Sequence, residues 1–207
     1  MDSIRRIVLD TSVFVNPASS AAFGNSPTEA FTHFLEQARR TENLEFLMPP
    51  SVYVELMHFA EEAAISKDLL MLVRQQAPRK HETKLPGMFI YTLVDEIRDR
   101  IDRGLRLAER TVRDALYMPA PPEPERGEKG PRPDAEWIQR LRESHRRIMR
   151  EGMLDSKADV DILLLAYETG ATLISADQGL TLWAENLGLE IMPYDQLPAF
   201  IASRVHA

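Results

Sequence analysis

Four aspartates stand at the ends of hydrophobic runs in this chain. Asp10 closes "RRIVLD", Asp177 closes "LISAD", and Asp155 and Asp159 open the stretch "DSKADVDILLLAYETG". Carboxylates gathered beside chain that is about to be buried repel one another: two unit charges about 4 Å apart at an effective dielectric near 20 interact by about 4 kcal/mol. A shared divalent cation offsets that repulsion. An all-oxygen ligand set, in a chain with no cysteine and no His-x-x-x-His pair, suits Mg²⁺ or Mn²⁺ rather than zinc. One or two such ions lower the pKa of a bound water, orient it for in-line attack and stabilise charge on a scissile phosphate. The chemistry this points to is phosphodiester hydrolysis without a protein nucleophile.

Each acid also has a local use open to it. Asp10 or Asp177 could cap the helix that follows its strand, Asp155 could cap "SKADVDILLLA", and Asp161 could be a solvated residue. One helical turn apart, Asp155 and Asp159 share a face that continues through Ile162 and Ala166. Asp161 lies about 200° round from Asp159, so it faces elsewhere unless the helix begins later; it stands as a further candidate metal ligand. Thr11 and Ser12 could position a ligand or a metal-bound water, or simply form the strand-end turn. Asn16, before Pro17, is a turn residue or a phosphate contact.

The elements that must position these acids follow from periodicity. Short apolar strands are expected at "RRIVLD" (5–10), "LEFLMPP" (44–50), "ATLIS" (171–175) and "LEIMP" (189–193). Helices fall between them. Ser26, Pro27 and Glu29 form a capping box before "AFTHFLEQAR"; "SVYVELMHFAEEAA" has helical spacing from Val54 through Met57 and Phe59; "QGLTLWAENLG" separates the last two strands. Short strands alternating with helices indicate an α/β fold whose parallel sheet is covered on both faces, with ligands bound beyond the carboxyl ends of the strands. Asp10 and Asp177 therefore point at one crevice.

The middle of the chain is different. From Tyr91 to Met118 apolar residues recur at Val94, Ile97, Ile101, Leu105, Ala108, Val112 and Leu116, an eleven-residue helical repeat about 42 Å long. Residues 119–133 hold six prolines and two glycines and read as a disordered loop. A second helix follows over 134–152, with Asp134 as its cap and Trp137, Ile138, Leu141 and Ile148 on one side. The expected organisation is a nuclease-like body, 1–90 and 153–207, interrupted by a protruding two-helix arm, 91–152. Two helices cannot shield both sides of their apolar stripes, so self-association through the arm is expected unless the pair folds back over the sheet.

At 207 residues with 44% hydrophobic content, the chain can bury one sizeable core. No membrane span or signal-peptide core is evident, which places the protein in the cytoplasm. The net charge of −7 hides a segregation: residues 98–150 carry 14 Lys or Arg against 10 Asp or Glu, while the rest carries 11 against 22. Among residues 137–150, Arg140, Arg142, Arg146, Arg147 and Arg150 stand against a single acid, Glu143. They form either a phosphate-contacting surface that recognises RNA by shape or a solvated face pairing with acids along Arg98–Asp114. His145 reads as an interfacial or surface residue.

"VLDTS" (8–12), "VYVEL" (52–56), "DVDILLLA" (159–166) and "LISAD" (173–177) resemble, in order and spacing, the acidic motifs of PIN-domain ribonucleases. That resemblance implies a three-layer α/β/α sandwich and metal-dependent RNA cleavage, with family acids falling on Asp10, Asp159 and Asp177 and, more loosely, on Glu55. The body, the arm and "DSKADVD" just after it are together similar to the HARP family, homologs of the Aquifex enzyme and the smallest protein-only ribonucleases P. This second resemblance covers nearly the whole chain. It implies removal of the 5′ leader from precursor tRNA to leave a 5′ phosphate, and brings Asp155 into the catalytic set. It also implies a homo-oligomer built through the arms, in which one subunit's arm touches the tRNA elbow while another subunit cuts. Neither DNA nor a membrane is expected as a partner. The rivals are a toxin-like PIN endonuclease, which would be shorter, and a non-catalytic RNA-binding scaffold, which would not need the full acidic set. A phosphatase with an aspartyl nucleophile would use a second aspartate where Ser12 stands.

Overall fold

The structure, a computed structural model, describes residues 4–117, 134–150, 154 and 156–205, and Asp155 and the expected loop at 119–133 lie outside them. The elements of the first part of the chain are β1 (Arg5–Leu9), α1 (Ser12–Val15), α2 (Pro17–Ser20), α3 (Pro27–Ala38), β2 (Leu44–Met48), α4 (Pro50–Phe59), α5 (Lys67–Leu70) and β3 (Val73–Gln75). Then follow α6 (Gly87–Leu116), α7 (Ala135–Arg150), α8 (Lys157–Thr169), β4 (Thr172–Ser175), α9 (Gln178–Asn186), β5 (Ile191–Pro193) and α10 (Leu197–Ala202). The strands form one parallel sheet in the order β3-β2-β1-β4-β5. The fold class is α/β.

The central strands are apolar on both faces because both are covered: Ile7, Val8, Leu9, Leu173 and Ile174 are fully buried. On one side Phe14, Phe31, Phe34 and Phe46 make edge-on and tilted contacts with ring centroids 5.0–5.2 Å apart. Phe14 belongs to α1, so this cluster anchors the turn directly after β1. Ile162, Leu165 and Ala166 of α8 and Trp183 and Ala184 of α9 are buried as well, and Phe89 packs edge-on against Trp183 at 5.3 Å.

Three expectations change. β3 was not apparent from periodicity, because only Val73 of its three residues is buried. The buried face of α4 is Val52, Tyr53 and Leu56, while Val54 and Phe59 are exposed; two interleaved apolar sets share the helical spacing, and packing selects the other one. Helix α4 also stops at Phe59, where Ala60 turns extended (φ −101°, ψ 137°), instead of running on to residue 64. Half of the expected capping box of α3 forms: Glu29 N–H donates to Ser26 Oγ at 3.2 Å, but the Glu29 carboxylate reaches one residue past the cap and accepts from Asn25 N–H at 3.0 Å.

The chain divides into two compact units, Met1–Phe89 with Leu154–Ala207, and Ile90–Met153. In the second unit Arg100 is buried and its guanidinium donates to the Ile148 and Met149 carbonyls at the C-terminal end of α7, while it pairs with Glu96 at 2.8 Å. The C-terminal end of a helix carries its negative dipole, so a cation is well placed there. The eleven-residue stripe of α6 remains uncovered: Ile97, Ile101, Leu105, Val112 and Leu116 are all exposed.

Candidate active site

Parallel pairing sets the register of the site. Ile7, Val8 and Leu9 lie opposite Thr172, Leu173 and Ile174, so one residue further along, Asp10 comes level with Ser175. The Asp10 N–H donates to the Ile174 carbonyl at 3.1 Å, which continues the ladder past the formal end of β1. The strand order reverses between β1 and β4, and this switch point at the carboxyl ends of the strands is where open α/β sheets bind ligands.

Asp10 is buried and does not cap a helix. Its Oδ2 accepts hydrogen bonds from Ser12 Oγ and, at 2.6 Å, from Ser175 Oγ. Both hydroxyls in turn accept amide protons from the turn after β4: Ala176 N–H reaches Ser12 Oγ and Asp177 N–H reaches Ser175 Oγ, each at 2.9 Å. Two serines thus stitch the β1 and β4 turns together through one carboxylate. Ser12, read from the sequence as a residue that could position a ligand or a metal-bound water, here donates to the Asp10 carboxylate instead. Ser175 was missed there; its only signal is its place two residues before Asp177 at a strand end.

The electrostatics are those of crowded acids. Burial pushes the Asp10 carboxyl above the ordinary carboxylate range; the Ser12 and Ser175 hydroxyls draw it back, and the nearby charge of Asp177 raises it further. Glu55, on α4, is also raised, first by partial burial and then by repulsion from Asp10, with His58 acting the other way. Glu55, exposed on α4, thus lies within electrostatic reach of Asp10. Asp177 is exposed and does cap α9, its Oδ1 accepting from Leu180 N–H at 2.9 Å. Asp159 lies half-buried in the first turn of α8, whose cap is Ser156, not Asp155: Ser156 Oγ accepts the Asp159 N–H at 3.0 Å. Asn16 serves the turn, its Oδ1 accepting from Ala18 N–H at 3.0 Å.

Asp161 is neither solvated nor turned toward Asp10's partners. It is buried, Oδ2 accepting from Ser51 Oγ at 2.9 Å and Oδ1 pairing with Lys80 Nζ at 2.7 Å, so both oxygens are engaged. This contact ties α8 to α4 and to the chain between β3 and α6. Replacing Lys80 by Met should lower Tm by roughly 3–6 °C, from the loss of a charged hydrogen bond worth about 1.5 kcal/mol; thermal denaturation measures it, and an unchanged Tm removes the strut.

The donors fit a hard cation in kind: carboxylates only, with Asp10 and Glu55 held above their ordinary range first by burial and then by the charge of a neighbouring acid. Among the described residues, no three Asp, Glu or His side chains close up into a completed cation cage. Asp10 and Asp177 are instead turned onto their own local donors. Of the arm arginines, Arg140 pairs with Glu136 and lies over the Trp137 ring at 5.4 Å. Arg142, Arg146 and Arg147 are exposed, and no ion pair among the described residues engages them; Glu96, Asp99, Glu109 and Asp114 of α6 pair within their own helix. The side chain of Arg150 lies outside the described residues.

A parallel sheet that delivers a buried carboxylate to its switch point, with further acids in electrostatic reach, is the frame of a hydrolytic nuclease domain. The chain belongs to the PINc domain ribonuclease family, whose profile matches residues 6–206. Nucleases with this domain generally depend on divalent metal. The chain is also similar along its length to proteins named RNA-free ribonuclease P. That of Thermodesulfovibrio yellowstonii is 42% identical over 201 residues, 97% of this chain and 95% of the relative. That of Pyrococcus horikoshii is 41% identical, covering 89% of this chain and 85% of the relative, and that of Nitrosococcus oceani is 41% identical, covering 91% and 90%.

Among the described residues no helix is long and apolar enough to cross a membrane.

Proposed function

We propose that this protein is an RNA-free ribonuclease P, an endoribonuclease that removes the 5′ leader from precursor tRNA and leaves a 5′ phosphate, working in the cytoplasm. The observation that carries the reading is the end-to-end similarity to relatives of that name, which spans the arm as well as the nuclease body. Mg²⁺ or Mn²⁺ is the proposed cofactor, held by Asp10, Asp159 and Asp177 with Asp155 beside them. Bound there, the ion would supply an activated water and neutralise charge on the phosphate.

The chain's own residues do the rest. Ser12 and Ser175 hold the Asp10 carboxylate in one orientation and favour its ionised form. Ser175 fixes the Asp177 backbone against the same carboxylate. Asp161 is the strut that Lys80 and Ser51 hold, rather than a ligand. The arginines of α7, Arg140, Arg142, Arg146, Arg147 and Arg150, are proposed to contact tRNA phosphates by charge and shape. The exposed stripe of α6 is proposed to be covered by further copies of the chain, giving a homo-oligomer.

Incubation of the purified protein with 5′-labelled precursor tRNA and Mg²⁺ tests the reading. One cut at the leader junction, abolished by EDTA, is the expected result. Cutting of mature tRNA would identify a toxin-like enzyme instead, and binding without cutting a scaffold.

A further inference from the structure

A cavity of about 610 Å³ opens beside the acidic site, at the carboxyl ends of β4 and β5. It shares Ser175 with that site, and Gln178, on its wall, directly follows Asp177. Tyr194 and the exposed Leu182 give it an aromatic and apolar surface, while Asn16 and Gln178 add side-chain amides and Glu185 a carboxylate. Its lining contains no lysine, arginine or histidine.

Phosphate contacts call for cations or clustered amide N–H groups, and a carboxylate in the wall repels an anion. A nucleobase calls for the opposite: a flat apolar surface to stack on, amides that donate and accept at its edge, and an acceptor for its amino groups. Resting on the ribonuclease P reading above, we infer that this cavity is a base subsite, which takes the unpaired leader nucleotide adjacent to the scissile phosphate. The choice of nucleotide follows from stacking. The first base of mature tRNA is paired within the acceptor stem, so its faces and its Watson–Crick edge are occupied; the leader base has both free. With the base seated on Tyr194 and its edge on Gln178, its phosphate lies outside the cavity on the side of Ser175 and Asp10. The subsite then fixes which phosphate meets the carboxylates.

The test is a cycle between protein and substrate: wild type and Tyr194→Ala, each with precursor tRNA carrying either a normal or an abasic leader nucleotide next to the cut. Tyr194→Ala should lower kcat/KM on the normal substrate by about 10- to 100-fold, the range that loss of one base–aromatic stack produces. Wild type on the abasic substrate should show a similar loss, and Tyr194→Ala little further loss on it. Tyr194→Phe should restore the wild-type rate. Because the readout is a ratio between two substrates for the same preparation, partial unfolding of a variant cannot imitate it. An equal effect of Tyr194→Ala on both substrates, or none on either, would overturn the subsite. Failure of the ribonuclease P reading would look different: wild type would leave both substrates whole, and the subsite would fall with it.

Discussion

Asp10→Asn should cost at least about 1,000-fold in leader removal, on the order of 4 kcal/mol of transition-state stabilisation, and should at the same time make the protein more resistant to heat. The two effects have one cause. Burial and the charge of Asp177 raise the folded-state pKa of Asp10 above its unfolded value of 3.8. Below that value both states are protonated and nothing is lost. As pH rises through the folded pKa, the folded state must carry an ionised, buried carboxylate, so Asp10 destabilises the fold at neutral pH. Asparagine keeps an acceptor for Ser12 and Ser175 without the charge. In EDTA at pH 7 the variant should melt higher by about 2–4 °C for each kcal/mol relieved, and the gain should shrink as pH is lowered toward 4. Cleavage at the wild-type rate, or a gain independent of pH, would contradict the site as described.

The second large effect concerns the uncovered stripe of α6. Charged residues at two of its positions, Ile101→Glu with Leu105→Glu, should reduce the proposed homo-oligomer to single chains of 23.6 kDa and cut activity on precursor tRNA by about 100-fold or more. Both side chains are more than half exposed in the single chain, so the substitutions add no charge to its interior, whereas each places an uncompensated carboxylate in an interface between copies. Light scattering reads the mass. A wild-type mass in the double variant would remove the stripe from the assembly, and single chains with full activity would show that cutting does not need a neighbour.

How far the sequence disclosed all this depended on the range of the forces involved. β1, β2 and β4 are each announced by a short apolar run because a strand covered on both faces has no polar side to show; β5 buries only Met192, yet its three residues are all apolar and so it was legible too. β3 has one covered residue and no such mark. Asp10 and Asp177 could be located as strand-end acids, a property of neighbouring residues. What surrounds them could not: Ser175 meets Asp10 only through the register of two strands 165 residues apart. Lys80 meets Asp161 across 80 intervening positions, which leave no periodic trace. For α4 the helix was legible but its rotation was not, since Val52 with Leu56 and Val54 with Met57 satisfy the same spacing. Asp161 was placed correctly away from Asp159 by geometry, yet its burial depended on partners from α4 and from the chain before α6.

Arg100 joins the middle of one helix to the end of another, its guanidinium reaching two carbonyls of α7 and a carboxylate of α6 at once. A planar fork of five donors meets several acceptors in fixed directions, whereas a lysine offers one point charge on a flexible stem. The contact therefore sets the register of the two helices by shape as well as by charge, and a lysine in its place would keep the charge and lose the register.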